Sequence, residues 1–271
     1  MINPGKTIKE KAFSWGTLLI SIAIFSCSSD NAKAIEEPPM ITSEIVKNLS
    51  DKNIYFAHMS VGYNIIDGIS SMTDELKIRY LNEEISDDAE AFLHSEIGEN
   101  RFPLTKINDF YEKISGGLGD RLDIAFLKFC YIDFNASTDV KSLFIEYRDK
   151  MLSLEEKYPN VTFVHFTSPL TTRKKGIKAY IKNVIGREVP GYGDNVKREE
   201  YNKMIRESFS NVFDLARIES TKPNGNRLAH KKNGKLYYSL VESYTDDGGH
   251  LNSVGAKLVA EKFLLFLSEL N

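Results

Sequence analysis

A three-layer α/β/α domain on a central parallel sheet of about five strands is the fold class this 271-residue sequence predicts. Three observations carry that prediction. Strand-like and helix-like segments alternate along most of the chain, a pattern that right-handed crossovers turn into a parallel sheet covered on both faces. Residues 122–129 are almost wholly apolar instead of alternating, as a strand buried on both faces must be. The intervening segments carry apolar stripes at helical spacing, so each helix has a face to lay on the sheet.

Taken in order, residues 53–57 (Asn-Ile-Tyr-Phe-Ala) read as the first strand and 61–72 as a helix with Ile65, Ile66 and Ile69 on one face. A short strand follows at 76–81. Residues 103–115 open on Pro103, suited to a first helical turn because its missing N–H would be unpaired there, and carry Ile107, Phe110 and Ile114 at helical spacing. The 122–129 strand leads to a long helix at 138–158 with Val140, Leu143, Phe144, Tyr147, Met151 and Leu154 along its stripe. A fourth strand at 161–166, a helix at 198–209 and a fifth strand at 211–215 come next. Residues 253–270 close the chain as an amphipathic helix, with Val254, Leu258, Phe263 and Leu267 expected to face inward. Two intervening stretches, 171–196 and 221–238, are rich in Gly, Lys, Arg and Asn-Gly turns and are expected to cap one sheet edge and select substrate.

The N-terminus has a different character. Lys6, Lys9 and Lys11 precede an apolar run of about 14 residues from Ala12 to Phe25, which ends at Ser26-Cys27. That run is short for a bilayer span, which needs about 20 residues, and fits the core of a signal peptide. Ending it on Ser-Cys resembles a bacterial lipobox, in which Cys27 would be lipidated. The organisation expected is a lipoprotein signal peptide at 1–26, a flexible tether at 27–42 containing Pro38-Pro39, and one folded domain at 43–271. A lipid anchor places such a protein in a bacterial cell envelope, facing the periplasm or the cell surface. With Cys27 acylated, Cys130 has no disulfide partner in the chain and reads as a small buried hydrophobe.

Composition excludes several classes of function. Net charge is −3 with acids and bases interspersed, so no electrostatic footprint for nucleic acid appears. The short runs Arg173-Lys174-Lys175 and His230-Lys231-Lys232 read as solvated loops. Five scattered histidines give no metal-ligand spacing, and Gly116-Gly117-Leu118-Gly119 lacks the helix and lysine of a phosphate loop, so no cofactor or metal is expected.

The chemistry-bearing residues lie at the two ends of the domain. Ser60 falls where the first strand gives way to a helix, a place from which a hydroxyl can project above a sheet edge and where ligands gather in parallel sheets. A serine there can also be a plain helix N-cap. Near the C-terminus, Asp247-Gly248-Gly249-His250 puts an acid three residues before a histidine in a Gly-loosened turn. A carboxylate so placed can hold the imidazole in the tautomer a general base needs. Asp246 is adjacent, but its spacing is off by one.

The order Ser60…Asp247-x-x-His250, with His58-Met59-Ser60-Val61-Gly62 in place of the family's Gly-Asp-Ser block, resembles the SGNH (GDSL-like) hydrolase family over residues 50–270. The resemblance implies a flavodoxin-like fold, a Ser60–His250–Asp247 triad and an oxyanion hole. For that hole it implies the backbone N–H groups of Ser60 and of Gly98, in Ile97-Gly98-Glu99-Asn100. The third family block, Gly-x-Asn-Asp, falls on Cys130-Tyr131-Ile132-Asp133. There Ile132 replaces the donor asparagine, an absence that typically costs roughly 10²–10³ in rate. Asn100 reads either as the substitute donor or as a turn residue before Pro103, with Asn64 and Asn135 as weaker candidates. Two functions follow: a serine esterase acting on a small-molecule or glycan ester, such as O-acyl groups on sugar, or a non-catalytic envelope or glycan-binding lipoprotein that kept the fold. Neither substrate identity nor oligomeric state is legible in the sequence.

Overall fold

The structure, a computed structural model, describes residues 41–81, 91–173 and 192–270. Cys27, the signal-peptide segment and nearly all of the tether lie outside the described residues, as does most of the 171–196 stretch. The elements are α1 (Ser43–Ser50), β1 (Ile54–His58), α2 (Val61–Ser70), β2 (Ile78–Tyr80), β3 (Phe92–Glu96), α3 (Pro103–Ser115), β4 (Ile124–Leu127), α4 (Val140–Lys157), β5 (Thr162–Phe166), α5 (Tyr192–Ser208), β6 (Val212–Phe213), α6 (Leu215–Ser220), β7 (Ala229–Lys232), β8 (Lys235–Tyr238) and α7 (Ser253–Ser268).

Six strands form one sheet in the order β2-β3-β1-β4-β5-β6, with every pairing parallel. Without the three-residue edge strand β2 the order becomes that of a flavodoxin-like doubly wound sheet, whose topological switch point lies between β1 and β4. Side-chain alternation on β1 splits the core in two. Ile54 and Phe56 face a layer with α1, α2 and α7, whereas Tyr55 and Ala57 face a layer with α3, α4 and α5. Phe56, Phe126, Phe166 and Phe213 converge on Phe263 of α7, with ring centroids 4.9–6.1 Å from it.

Three features depart from the sequence reading. Strand β3 was not expected, because His94, Ser95 and Glu96 make Phe92–Glu96 look polar. In the sheet these polar groups find partners: the Ser95 hydroxyl lies 2.7 Å from Tyr55 Oη, and His94 Nδ1 lies 3.1 Å from His58 Nε2. Val254 is 59% exposed on the outer face of the first turn of α7, and the inward stripe runs instead through Ala256, Val259, Ala260, Phe263 and Leu264. Within 221–238, residues 229–238 form the antiparallel β7–β8 hairpin, which packs on α5; among the described residues the stretch contributes none of those lining the cleft beside the sheet edge.

Candidate active site

Ser60 occupies the turn between β1 and α2 at φ 55°, ψ −111°, a conformation that costs a non-glycine residue of order 1–3 kcal/mol. Its side chain does not cap α2, which removes the N-cap reading. The hydroxyl instead lies 2.7 Å from His250 Nε2, across 190 residues of sequence. His250 Nδ1 lies 2.5 Å from Asp247 Oδ2, so the carboxylate accepts the Nδ1 proton and leaves Nε2 free to accept from Ser60. Asp246 is not the partner; its Oδ1 accepts from Asn252 Nδ2 at 3.2 Å.

Local sequence explains the Asp247–His250 loop. Asp247 Oδ1 accepts the N–H groups of Gly249 and His250, both at 2.8 Å, so the carboxylate holds its own turn while its other oxygen holds the imidazole. Partial burial pushes this carboxyl upward. Hydrogen bonds from His250 and the two backbone N–H groups outweigh it and keep the group well below the usual carboxylate range. Gly248 sits at φ +91°, and a Cβ on Gly249 would come within 2.7 Å of Tyr131 Cζ, so neither position admits a larger residue without movement. Asn64 Oδ1 accepts the Leu251 N–H at 3.1 Å and joins this loop to α2.

The oxyanion donors named from sequence fare unevenly. The Gly98 N–H is a correction: it donates to Asp109 Oδ2 at 2.9 Å, because α3 folds back over the loop and its carboxylate takes that proton. Asn100 Oδ1 accepts from Lys106 Nζ at 2.9 Å, and its NH₂ donates to no acceptor among the described residues. The Ser60 N–H donates to no acceptor among the described residues. Ile132 lines the cleft and its side chain offers no donor. Asn135 caps its own turn, accepting from the Ser137 N–H. Asp214, at the end of β6, is structural: it caps α6 and pairs with Arg206.

Sequence reasoning missed the polar groups that bind the edge together. Asp133 is buried, pairs with the equally buried Lys106 at 2.7 Å, and accepts the N–H groups of Arg101 and Cys130. It therefore ties the loop after β3 to the loop after β4. Arg198 of α5 donates to the Tyr131 carbonyl at 2.9 and 2.6 Å and fixes the latter loop from the other side. Lys128 lies beneath the Ser60 turn and contacts its backbone. The available signal was a lysine interrupting an otherwise apolar strand.

A cleft of about 510 Å³ opens beside the triad, lined by Arg101, Tyr131, Ile132, Phe134, Thr172 and Asp247 among others. No cluster of three or more metal-ligating side chains occurs among the described residues, and no helix among them is long and apolar enough to cross a membrane.

No family model matches the sequence, and no curated protein is similar to it. Among solved structures the chain is similar to a Streptococcus pneumonia protein described as a platelet activating factor, at 15% identity over 82% of this chain and 91% of that one, with a TM-score of 0.46. It is similar to the periplasmic domain of a Salmonella ser. Paratyphi A lipopolysaccharide acetyltransferase, at 14% identity over 81% and 87%, TM-score 0.40. It is also similar to a Slackia heliotrinireducens protein described as an SGNH hydrolase, at 11% identity over 80% and 97%, TM-score 0.44. At these scores the likenesses assign neither activity nor substrate to this chain, which rest on its own residues.

Proposed function

We propose that this chain is a serine ester hydrolase of the SGNH type, with Ser60 as nucleophile, His250 as general base and acid, and Asp247 as the group that orients it. The observation that carries the reading is the continuous link Ser60 Oγ–His250 Nε2, His250 Nδ1–Asp247 Oδ2, at the carboxyl edge of the sheet. In the reaction Ser60 Oγ attacks the ester carbonyl carbon while its proton passes to Nε2. The tetrahedral intermediate collapses as His250 returns that proton to the leaving alcohol. Water, deprotonated by His250, then attacks the acyl-enzyme and releases the carboxylic acid and free Ser60. The oxyanion is stabilised by the Ser60 N–H, with the Asn100 amide as second donor.

For substrate we propose small O-acyl groups on carbohydrate. The open, mixed polar and apolar cleft suits a sugar better than a long acyl chain, and a Cys27 lipid anchor would hold the enzyme among envelope polysaccharides. Fractionation of a Cys27→Ala variant tests the anchor: the protein should leave the membrane fraction, and membrane retention after signal cleavage would place the anchor elsewhere.

The alternative, a glycan-binding protein that kept the fold, draws on Ile132 and on the engaged Gly98 N–H. Hydrolysis of p-nitrophenyl acetate and labelling by a fluorophosphonate separate the two. Wild type should do both, and Ser60→Ala neither, with unchanged folding. A wild-type protein inert in both assays would hand the case to the binding reading.

A further inference from the structure

Lys128 is fully buried at the carboxyl end of β4, beside the switch point of the sheet. Its Nζ donates to the Met59 carbonyl at 3.0 Å and the Phe129 carbonyl at 3.2 Å, and lies 3.9 Å from Cys130 Sγ. Lys106, equally buried, has a carboxylate at 2.7 Å, whereas Lys128 has none within ion-pairing distance among the described residues. Of the acids that act on it from a distance, Asp133 is bound by Lys106, and burial pushes the Glu219 carboxyl up to about 8. Burying a cation costs several kcal/mol unless close partners offset it, and an apolar residue in this strand would avoid that cost. A group kept there at such a penalty points to a task, and the carbonyls it holds belong to the two loops that make the catalytic edge.

The Met59 carbonyl is unusual in its own right. It also accepts the Gly62 N–H at 3.1 Å and the Cys130 thiol at 3.4 Å, so three donors converge on one oxygen. That oxygen and the Ser60 N–H are opposite ends of one peptide unit. Drawing electron density toward the carbonyl makes the N–H a stronger donor, and fixing the carbonyl fixes the direction in which the N–H points. We propose that Lys128 is a positioning residue for acyl transfer, orienting and polarising the Met59–Ser60 peptide so that the Ser60 N–H carries the oxyanion stabilisation that Ile132 and Gly98 do not supply. The proposal rests on the serine-hydrolase reading above. It explains why the third family block can be altered here without emptying the oxyanion hole.

Lys128→Met, which keeps volume and removes both charge and donor, tests it against p-nitrophenyl acetate. The expected result is a kcat at least 10²-fold lower, KM within threefold, fluorophosphonate labelling slowed in parallel, and a thermal midpoint at or above that of wild type. Cys130→Ala, which removes only the weak thiol donor, should cost no more than a few-fold in kcat. A purely structural lysine would lower the melting temperature along with activity, and that outcome, or a kcat within threefold of wild type, overturns the proposal. Should Lys128→Met fail to fold, Lys128→Leu, which also removes the donor, is judged by the same criteria, and failure of both to fold makes the residue structural. A wild-type protein that neither hydrolyses the ester nor is labelled at Ser60 instead ends the hydrolase reading, and the role of Lys128 with it.

Discussion

Two arms meet at the catalytic edge, and they are held in opposite ways. The Ser60 turn is fixed from below and from far away in sequence: Lys128 grips the Met59 carbonyl, and the ring of buried His58 packs against Gly62. The Asp247–His250 loop is fixed mainly by itself, through four contacts made by one aspartate between Thr245 and His250. In the first arm His58, Val61 and Gly62 are buried and Met59 and Ser60 half-buried; the second leaves the His250 side chain 44% and the Asp247 side chain 55% exposed. A strained nucleophile turn needs surroundings that over-determine it, whereas a general base needs one well-placed acid and room to move protons.

Paired glycine substitutions should break the arms differently. A Cβ on Gly62 would lie 2.3 Å from His58 Cγ and Nδ1, and that ring is fully buried with no space to yield. The helix-propensity gain of Gly→Ala, about 1 kcal/mol, is outweighed by overpacking and by displacement of the first turn of α2. We expect Gly62→Ala to lose roughly 2 kcal/mol or more in urea unfolding and at least 10²-fold in kcat together. A Cβ on Gly249 meets the Tyr131 ring at 2.7 Å, but that side chain borders the open cleft and can swing. Gly249→Ala should therefore lower kcat by about tenfold with a stability change under 1 kcal/mol. Equal stability losses in the two variants would remove the distinction between the arms.

The same contrast explains what was legible in the sequence. Asp247-x-x-His250 could be read because its contacts span three residues, and Ser60 because an apolar strand ends in front of it. The sheet was legible where strands were apolar, as at β4, and illegible at β3, where His94 and Ser95 are satisfied only by β1 residues some 40 positions away. The Gly98 assignment failed for a related reason. A glycine near the correct place in the chain carries no sign that Asp109, on the following helix, takes its N–H. Lys128 and Asp133 acquire meaning only when the loops after β1, β3 and β4 stand side by side.

The smallest effect expected concerns acid stability, and it too belongs to the buried arm. Burial, with Lys128 and His94 nearby, pulls the His58 imidazole down to about 2, and burial also lowers His94 and His165. An unfolded histidine titrates near 6.5. Below that pH the unfolded chain binds a proton that the folded His58 refuses, so stability falls as pH falls and is fully regained above about pH 7. The slope is up to about 1.4 kcal/mol per pH unit for each histidine kept neutral. Most carboxylates contribute further down the scale, but buried Glu219, held up to about 8, loses stability as pH rises through this window and opposes the histidines. The comparison that isolates His58 is therefore with His58→Gln, which retains a polar partner for His94. Urea midpoints at pH 7, 6 and 5 should fall for wild type and fall less steeply, by about one proton, for the variant. Parallel pH profiles for the two proteins would show that His58 accepts a proton without unfolding, and that the packing beneath the Ser60 turn is looser than its burial implies.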